Sequence, residues 1–233
     1  MSVGLKDKVI LITGAGRGLG LAYAQVLARH GARLAMHDGG VSQTGVAPNP
    51  AVILSAVAGL GDVSPDILPL AERLDGPAAC QALIDKTVQQ FGRLDGVIHN
   101  AGLVLWRDIA EVDAATYRTN AEVNHEAAFW LCKSALPVMR DQGYGRIFLA
   151  SSGWALTPWD QADQLTLYAH SKGAQYGLAL AHGAGHPDIR TNIIVPVAKT
   201  RVSRNDVLDG TLRPDAVAGA ASWLVPPQCQ LSG

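Results

Sequence analysis

Short apolar runs of strand length alternate with amphipathic stretches along most of the chain. The first run, residues 8–13, is rich in β-branched residues, and residues 19–30 then place apolar side chains at helical spacing. Strand-like runs recur at Arg33–His37, Ile67–Leu70, 95–99, 146–150 and 190–195. This alternation predicts right-handed crossovers and an α/β fold with a parallel, doubly wound sheet, in a single domain of residues 1–233.

Prolines and glycines mark the ends of several predicted helices. Pro77 lies in the first turn of an amphipathic helix, and Gly92 stands directly beyond its last apolar residue. Further helices are predicted at 168–182 and at Pro214–Leu224, which also begins with proline. Residues 111–139 predict one long helix or two consecutive ones, interrupted by a polar Glu-Val-Asn-His stretch.

Three shorter features leave less definite predictions. Residues 39–50 are rich in Gly, Ser, Thr, Asn and Pro and predict a loop. Residues 51–60 are compatible with a helix or a buried strand, because the apolar run is too short and uniform for its periodicity to decide. Pro69 indicates that its strand lies at a sheet edge or ends there.

Composition restricts the classes of function. The chain of 233 residues is 48% hydrophobic and 17% charged, carries a net charge of −1, and has no basic stripe of the kind that binds nucleic acid. Its three cysteines are widely separated, which favours reduced thiols and no metal site; they are Cys80, Cys132 and Cys229. Without an apolar signal region or a membrane-length run, a cytoplasmic protein that does not enter membranes is expected.

The glycine-rich stretch at 14–20 lies between a predicted strand and a predicted helix. In that context glycines let the backbone approach a pyrophosphate, and the free N–H groups at the helix start face its charge. Asp38 follows Gly20 by eighteen residues, where a carboxylate can accept hydrogen bonds from ribose hydroxyls and repels a 2′-phosphate. NAD is therefore favoured, whereas the guanidinium of Arg17 leaves NADP open.

Tyr168 and Lys172 lie four residues apart on a predicted helix and so share one face. A nearby ammonium favours the phenolate, so we expect Lys172 to lower the pKa of Tyr168 and make it a proton donor and acceptor for a carbonyl/alcohol pair. The alternative is an exposed tyrosine beside a lysine on a surface helix. The pair gains weight because the glycine turn precedes it in the same chain.

These motifs together resemble the short-chain dehydrogenase/reductase family. The match includes the stretch 13–20, His99-Asn100-Ala101-Gly102, Asn124, Ser151-Ser152 after a strand, and Tyr168 with Lys172. Stretches 14–24, 37–40, 144–147 and 196–203 are moderately similar to the hydroxyacyl-CoA dehydrogenase modules of peroxisomal multifunctional enzyme type 2. The resemblance implies a Rossmann fold that binds NAD(P).

The resemblance also implies roles for individual residues. Tyr168 would be the general acid/base, Ser152 would orient the substrate oxygen with Ser151 as its competitor, and Lys172 would hold the nicotinamide ribose. Asn124 would kink its helix and hold a water that relays protons from Lys172, unless it is an ordinary surface amide. Cofactor contacts are expected from Gly14, Arg17, Gly18, Leu19, Gly20, Asp38, Asp75, Asn100, Ala101, Gly102, Tyr168, Lys172 and Pro196. His170 is expected to be a bystander, and His99, where the family usually has Asn, is expected to be tolerated at a strand end.

The implied activity is hydride transfer between NAD(P) and a secondary alcohol or ketone, with a 3-hydroxyacyl thioester as the leading substrate; the alternative is a dinucleotide-binding sensor or scaffold without turnover. Substrate choice is expected in the loop 197–213 and the insert 154–166, where Trp154 and Trp159 either wall an apolar pocket or pack in the core.

Two departures from the family and one shared habit add further expectations. Val197 replaces the usual glycine after Pro196, and the chain stops where the family begins its last strand, so six strands or a truncated chain is expected. Relatives pair through helices that correspond to 111–139 and 168–182, which implies a homodimer or homotetramer.

Overall fold

The computed structural model describes residues 4–42, 45–61, 63, 66–157, 162–198 and 213–232. The strands are β1 Val9–Thr13, β2 Arg33–His37, β3 Ile67–Leu70, β4 Gly96–His99, β5 Gly145–Ala150 and β6 Ile189–Ile194. The α-helices are α1 Gly18–Arg29, α2 Ala51–Ala58, α3 Pro77–Phe91, α4 Ala114–Ala121, α5 Ala127–Asp141, α6 Thr166–Gly185 and α7 Pro214–Leu224.

The six strands form one parallel sheet in the order β3-β2-β1-β4-β5-β6. The order reverses direction between β1 and β4, so the chain winds outward from the middle of the sheet in both halves. This confirms the predicted doubly wound α/β fold. In such sheets ligands bind where the order reverses, beyond the carboxyl ends of the strands.

Each face of the sheet is covered by helices, which explains why the central strands are apolar throughout. All five residues of β1 are buried, as expected for a strand with helices on both sides. On one face α3, α5 and α6 pack on residues such as Leu11 and Val97. On the other face α1, α2 and α7 pack on residues such as Ile10 and Ile98, with Tyr23 of α1 set edge-on to Phe148.

The structure resolves the segments that the pattern left open. Residues 51–58 form a helix whose Ile53 is fully buried, so contact with the sheet decides between two states that periodicity alone could not separate. Pro69 lies in the edge strand β3, as predicted. Gly92 has a φ of 76°, the left-handed conformation that ends α3.

Residues 111–139 are neither one regular helix nor two separate ones. Helices α4 and α5 are joined without a break by a five-residue π-helix, Glu122–Glu126, which is the polar interruption seen in the sequence. A π-helix carries one extra residue in a turn and is often found at functional sites. Here it places the side chain of Asn124 in the protein interior.

Beyond α7 the chain runs alongside the edge strand β6 without adding a strand to the six of the described sheet. The Nη2 atom of Arg146 donates to the carbonyl oxygens of Pro227 and Cys229, at 3.4 and 3.3 Å. The Nδ2 atom of Asn192 donates to the carbonyl oxygen of Leu231, at 3.0 Å. Side-chain contacts therefore hold residues 227–231 against the sheet.

Candidate active site

One cavity of about 360 Å³ opens at the carboxyl ends of the strands, where the strand order reverses. The loops that follow β1, β2, β3, β4, β5 and β6 all contribute to its lining, and so does the start of α6. Most of the sequence-predicted site residues meet here; they are Gly14, Arg17, Gly18, Leu19, Asp38, Asn100, Ala101, Gly102, Ser152, Tyr168, Lys172 and Pro196.

The glycine turn brings the start of α1 against the cavity. A Cβ atom at Gly14 would lie 2.9 Å from the Cα atom of Ala101, and the φ of Gly14 is 68°. Gly20 does not line the cavity; a Cβ atom there would lie 2.0 Å from the carbonyl oxygen of Gly14. Gly20 therefore allows the turn and α1 to pack closely, and its predicted cofactor contact stays a prediction. The open helix start beside Gly18 suits a pyrophosphate.

Asp38 lies at the end of β2 and is held by the backbone around it. Its Oδ2 atom accepts from the N–H of Gly16 at 3.0 Å, and its Oδ1 atom accepts from the N–H of Gly40 at 2.8 Å. A carboxylate has about four acceptor positions, so acceptor capacity for a ribose remains. Arg17 Nη2 lies 3.9 Å from Oδ1 and donates to the carbonyl oxygen of Val41.

The residues after β3 add candidates to the predicted cofactor contacts. Arg73 and Leu74 line the cavity, whereas Asp75 is exposed and lies outside the lining. The Nη1 atom of Arg73 donates to the carbonyl oxygen of Gly45 at 3.1 Å, which fixes the guanidinium near the Asp38 end. The adenine contact of Asp75 stays a prediction, and Arg73 and Leu74 are further candidates for it.

The floor of the cavity is made by the end of β4 together with Thr13. The hydroxyl oxygen of Thr13 accepts from the N–H groups of Asn100 and Ala101, both at 3.2 Å. The Thr13 hydroxyl can then donate to Nδ1 of His99 at 3.0 Å, which leaves the hydrogen on Nε2 to donate to the carbonyl oxygen of Asn124 at 3.2 Å. His99 is thus a buried bridge between the end of β1 and the π-helix, whereas the sequence suggested only that it is tolerated at a strand end.

Asn124 is fully buried, and its side chain forms hydrogen bonds with the backbone of Leu103 and the side chain of Ser171. Its Oδ1 atom accepts from the N–H of Leu103 at 2.7 Å, and its Nδ2 atom donates to Leu103 O and to Ser171 Oγ, both at 2.9 Å. The carbonyl oxygen of Asn124 accepts from Gln175 Nε2 at 2.6 Å as well as from His99. A π-helix replaces the regular helix at Asn124, where a local kink was expected. The expected water relay is not supported, because both lone pairs of that carbonyl face protein donors.

Ser152 and Tyr168 meet at the cavity surface. Ser152 follows β5, is 8% exposed, and hydrogen-bonds the Tyr168 side chain. Its hydroxyl oxygen also accepts from the N–H of Trp154 at 3.3 Å. Ser151 instead donates to the carbonyl oxygen of Lys172 at 2.8 Å, which commits it to holding α6. The geometry favours Ser152 over Ser151 as the group that orients a substrate oxygen.

The charge relation between Tyr168 and Lys172 differs from the expectation. Burial raises the pKa of Tyr168 to about 12, and the hydrogen bond from Ser152 lowers it only in part. Burial also lowers the pKa of Lys172 to about 8. Lys172 Nζ donates to the carbonyl oxygen of Ala150 at 2.6 Å and lies 5.8 Å from the Tyr168 ring centre. The expected lowering of the Tyr168 pKa by Lys172 is therefore wrong for this structure.

The rest of the cavity is walled by apolar side chains on connecting loops. Trp106 and Trp154 meet edge to face, with ring centres 6.1 Å apart and an 84° angle between planes. Val104, Leu165 and Val197 complete this part of the lining, and we call these five residues the indole wall. The predicted wall residue Trp159 and most of the predicted substrate loop, 199–212, lie outside the described residues.

Several site residues escaped the sequence analysis. Arg73 and Trp106 follow strands, and the rule that ligands bind beyond the strand ends would have singled out their loops. Leu165 directly precedes α6, next to the motif residue Tyr168. No sequence signal identifies Gln175, which reaches Asn124 from one turn beyond Lys172.

Relatives of known name share this architecture. Peroxisomal multifunctional enzyme type 2 of Drosophila melanogaster is 26% identical over 234 residues, which cover 97% of this chain and 38% of that protein. Versicolorin reductase of Emericella nidulans is 30% identical over 230 residues, which cover 95% of this chain and 83% of that protein. This chain therefore spans well under half the length of the multifunctional enzyme.

Solved structures show the same fold. Carveol dehydrogenase from Mycobacterium avium, in a complex with NAD, matches with a TM-score of 0.84 and 21% identity over 97% of this chain and 94% of that chain. None of the helices in the described ranges is long and apolar enough to cross a membrane. A family model for short chain dehydrogenase matches residues 8–207. The chain belongs to the short-chain dehydrogenase family, whose members bind NAD(H) or NADP(H).

Proposed function

We propose that the protein interconverts a secondary alcohol and a ketone, with NAD as the hydride carrier. The observation that carries this proposal is the pairing of the Ser152 and Tyr168 side chains in the cavity that the glycine turn also lines. NAD(H) would supply or accept the hydride when bound. The protein supplies the binding surface and the proton.

Tyr168 and Ser152 are suited to the oxygen of the substrate. Hydride transfer to a ketone leaves negative charge on that oxygen, and donors fixed beside it stabilise the transition state more than the ground state. With its pKa raised to about 12, Tyr168 is a neutral phenol at working pH and has a proton to donate. Ser152 hydrogen-bonds that phenol and helps to orient the same oxygen.

Lys172 and Asn124 hold this pair in place. Lys172 is buried beside Gly102, where a Cβ atom would lie 3.4 Å from both Lys172 Nζ and Asn124 Oδ1. Lys172 is thus positioned to hold a ribose hydroxyl at the cavity floor. Asn124 acts as a positioning residue, because its hydrogen bonds tie α6 to the loop after β4.

The preference for NAD over NADP rests on Asp38, whose carboxylate would repel a 2′-phosphate. Arg17 and Arg73 provide two guanidinium groups in the same part of the lining. Asp38→Ser should therefore improve kcat/KM with NADPH relative to NADH, and an unchanged ratio would contradict the assigned role of Asp38. Asp85→Ser, on the surface of α3, is the matched control.

Three finer assignments belong to the same proposal. Similarity to the multifunctional enzyme favours a 3-hydroxyacyl thioester as substrate. We also infer a cytoplasmic location, and a homodimer or homotetramer formed through α4, α5 and α6. The exposed side chains of Tyr117, Phe129 and Leu180 on these helices support such an assembly.

Fluorescence titration with NADH, followed by a panel of carbonyl substrates, tests the proposal against a sensor or scaffold. We expect NADH to bind and to be oxidised by at least one ketone. Binding without oxidation by any member of the panel would favour the sensor. The Ser152–Tyr168 pair favours the enzyme, because a sensor has no use for a proton donor at that point.

A further inference from the structure

The cavity has two chemically different ends. Along the carboxyl edge of the sheet, Asp38 follows β2, and Ser152 follows β5 three strands away. The indole wall lies on the same side of β1 as Ser152, because Val104 and Trp106 follow β4, Trp154 follows β5 and Val197 follows β6. Asp38, with Arg17 and Arg73 beside it, forms what we call the nucleotide end, and the wall lies nearer to Ser152 along the sheet edge.

The indole wall offers apolar surface and no charge. The lining residues with charged side chains in the described ranges are Asp38, Arg17, Arg73 and Lys172. The first three lie at the nucleotide end, and Lys172 lies at the floor of the cavity beside Gly102. Apolar lining beside a few fixed polar groups is typical of a small-molecule site that selects by shape.

The wall is held in shape by contacts between its loops. The N–H of Arg107 donates to the carbonyl oxygen of Gln164 at 2.8 Å, which ties the Trp106 loop to the Leu165 loop. The edge-to-face contact of Trp106 and Trp154 links the loops after β4 and β5. Two flat indole surfaces nearly at right angles suit a rigid, flat apolar group better than a flexible chain, which would lose conformational entropy on ordering.

The wall is also joined to the catalytic residues. Ser152 Oγ accepts from the N–H of Trp154, so the serine that faces the substrate oxygen and the wall share one short turn. Leu165 is 1% exposed and lies three residues before Tyr168. A group resting on the wall would therefore have its carbonyl close to the catalytic pair.

We propose that the substrate is an uncharged, ring-bearing secondary alcohol or its ketone, whose ring rests on Trp106 and Trp154. This inference depends on the proposed function and narrows it. It is an alternative to the hydroxyacyl thioester, because the two indole planes suit a flat ring better than an extended chain.

The test compares six-carbon ketones in NADH-dependent reduction. Cyclohexanone should exceed hexan-2-one in kcat/KM by at least about tenfold, the discrimination that one apolar contact surface can supply. Trp154→Ala should lower kcat/KM for cyclohexanone by about 10- to 200-fold, a larger loss than for hexan-2-one, which has no ring to rest on the wall. Trp154→Phe should retain most of the cyclohexanone activity, because a flat ring remains.

Trp223→Ala is the matched control, since Trp223 on α7 is 57% exposed and lies outside the cavity lining. It should leave both ketones unaffected. Unchanged NADH affinity in Trp154→Ala would show that the variant is folded.

Equal kcat/KM values for the two ketones, or a preference for an acetoacetyl thioester, would overturn the ring-bearing substrate and leave the proposed oxidoreduction intact. Binding of NADH without reduction of any carbonyl compound would instead overturn the proposed function itself.

Discussion

The nucleotide end of the cavity and the indole wall are built on different principles. At the nucleotide end, polar groups are fixed by named hydrogen bonds, such as those from Gly16 and Gly40 to Asp38. At the wall, Trp106, Trp154 and Leu165 present apolar surface. The nucleotide end is proposed to contact the cofactor, which is the same for every substrate. A single change there should therefore lower kcat/KM equally for every substrate. A change in the wall should instead affect only substrates that touch it.

The largest effect is expected for Tyr168→Phe, which should affect every ketone alike. Loss of the proton donor should lower kcat about 10²- to 10⁴-fold for every ketone, the range typical of general acid catalysis, while NADH affinity stays close to that of the parent. Steady-state kinetics and NADH titration measure the two effects. Tyr117→Phe, on the exposed face of α4, is the control. A loss restricted to some ketones would break the comparison, and unchanged turnover would refute the role of Tyr168.

Asn124→Ala should destabilise the fold by about 1–3 kcal/mol, because the buried N–H of Leu103 loses its acceptor. Asn120→Ala is a matched control with a smaller expected cost. It removes one donor to the carbonyl oxygen of Leu103, and Asn124 still donates to that oxygen. Urea denaturation of both variants gives the free energies of unfolding. Equal losses would show that the π-helix does not depend on the Leu103 contact.

The substitution His99→Asn should make the free energy of unfolding depend less on pH in mild acid. Burial and the charge of Lys172 lower the pKa of His99 to about 3, so the unfolded chain binds a proton below its ordinary pKa while the folded protein does not. Stability therefore falls as pH drops from about 6.5 toward 3, by about 1.4 kcal/mol per pH unit for this residue.

Urea denaturation at a series of pH values between about 6.5 and 5 measures that slope. The variant should lose one histidine's contribution, whatever its stability at neutral pH. His30→Asn, at an exposed position, is the control. An unchanged slope in His99→Asn would contradict a neutral, bridging His99.

The smallest effect is expected at the outer nucleotide end. Arg73→Ala should weaken NADH binding about 1.5- to 5-fold, equivalent to the 0.2–1 kcal/mol of an exposed charge interaction. Asp75→Ala should leave NADH affinity unchanged, because Asp75 lies outside the lining. Isothermal titration calorimetry compares the two variants. Weaker binding in Asp75→Ala alone would favour the predicted adenine contact of Asp75.

Residue chemistry explains which parts of the site could be predicted. Gly14, Asp38, Ser152 and Tyr168 were identified because few residue types can do what those positions require, and their order along the chain fixes their place at one edge of a parallel sheet. Trp106 was not, since an aromatic residue in a loop is compatible with several roles. The contact surface of a loop depends on how neighbouring loops pack.

Burial and packing account for the other differences. Helical spacing brings Tyr168 near Lys172, but the sign of the pKa shift depends on how much water reaches each group, which spacing does not report. The strands and most helices followed from periodicity. The π-helix did not, because its extra residue depends on contacts of Asn124 with Leu103 and Ser171, distant in the chain.

Pro69 has a consequence for how copies of this protein can meet. It lies within β3, a four-residue strand at one edge of the sheet, and proline has no backbone N–H to donate to an added strand. A strand from another molecule that added to this edge would lack one backbone N–H donor, so its pairing with β3 would be incomplete. The ring of Pro69 therefore protects this edge against the continued strand addition that leads to fibrils.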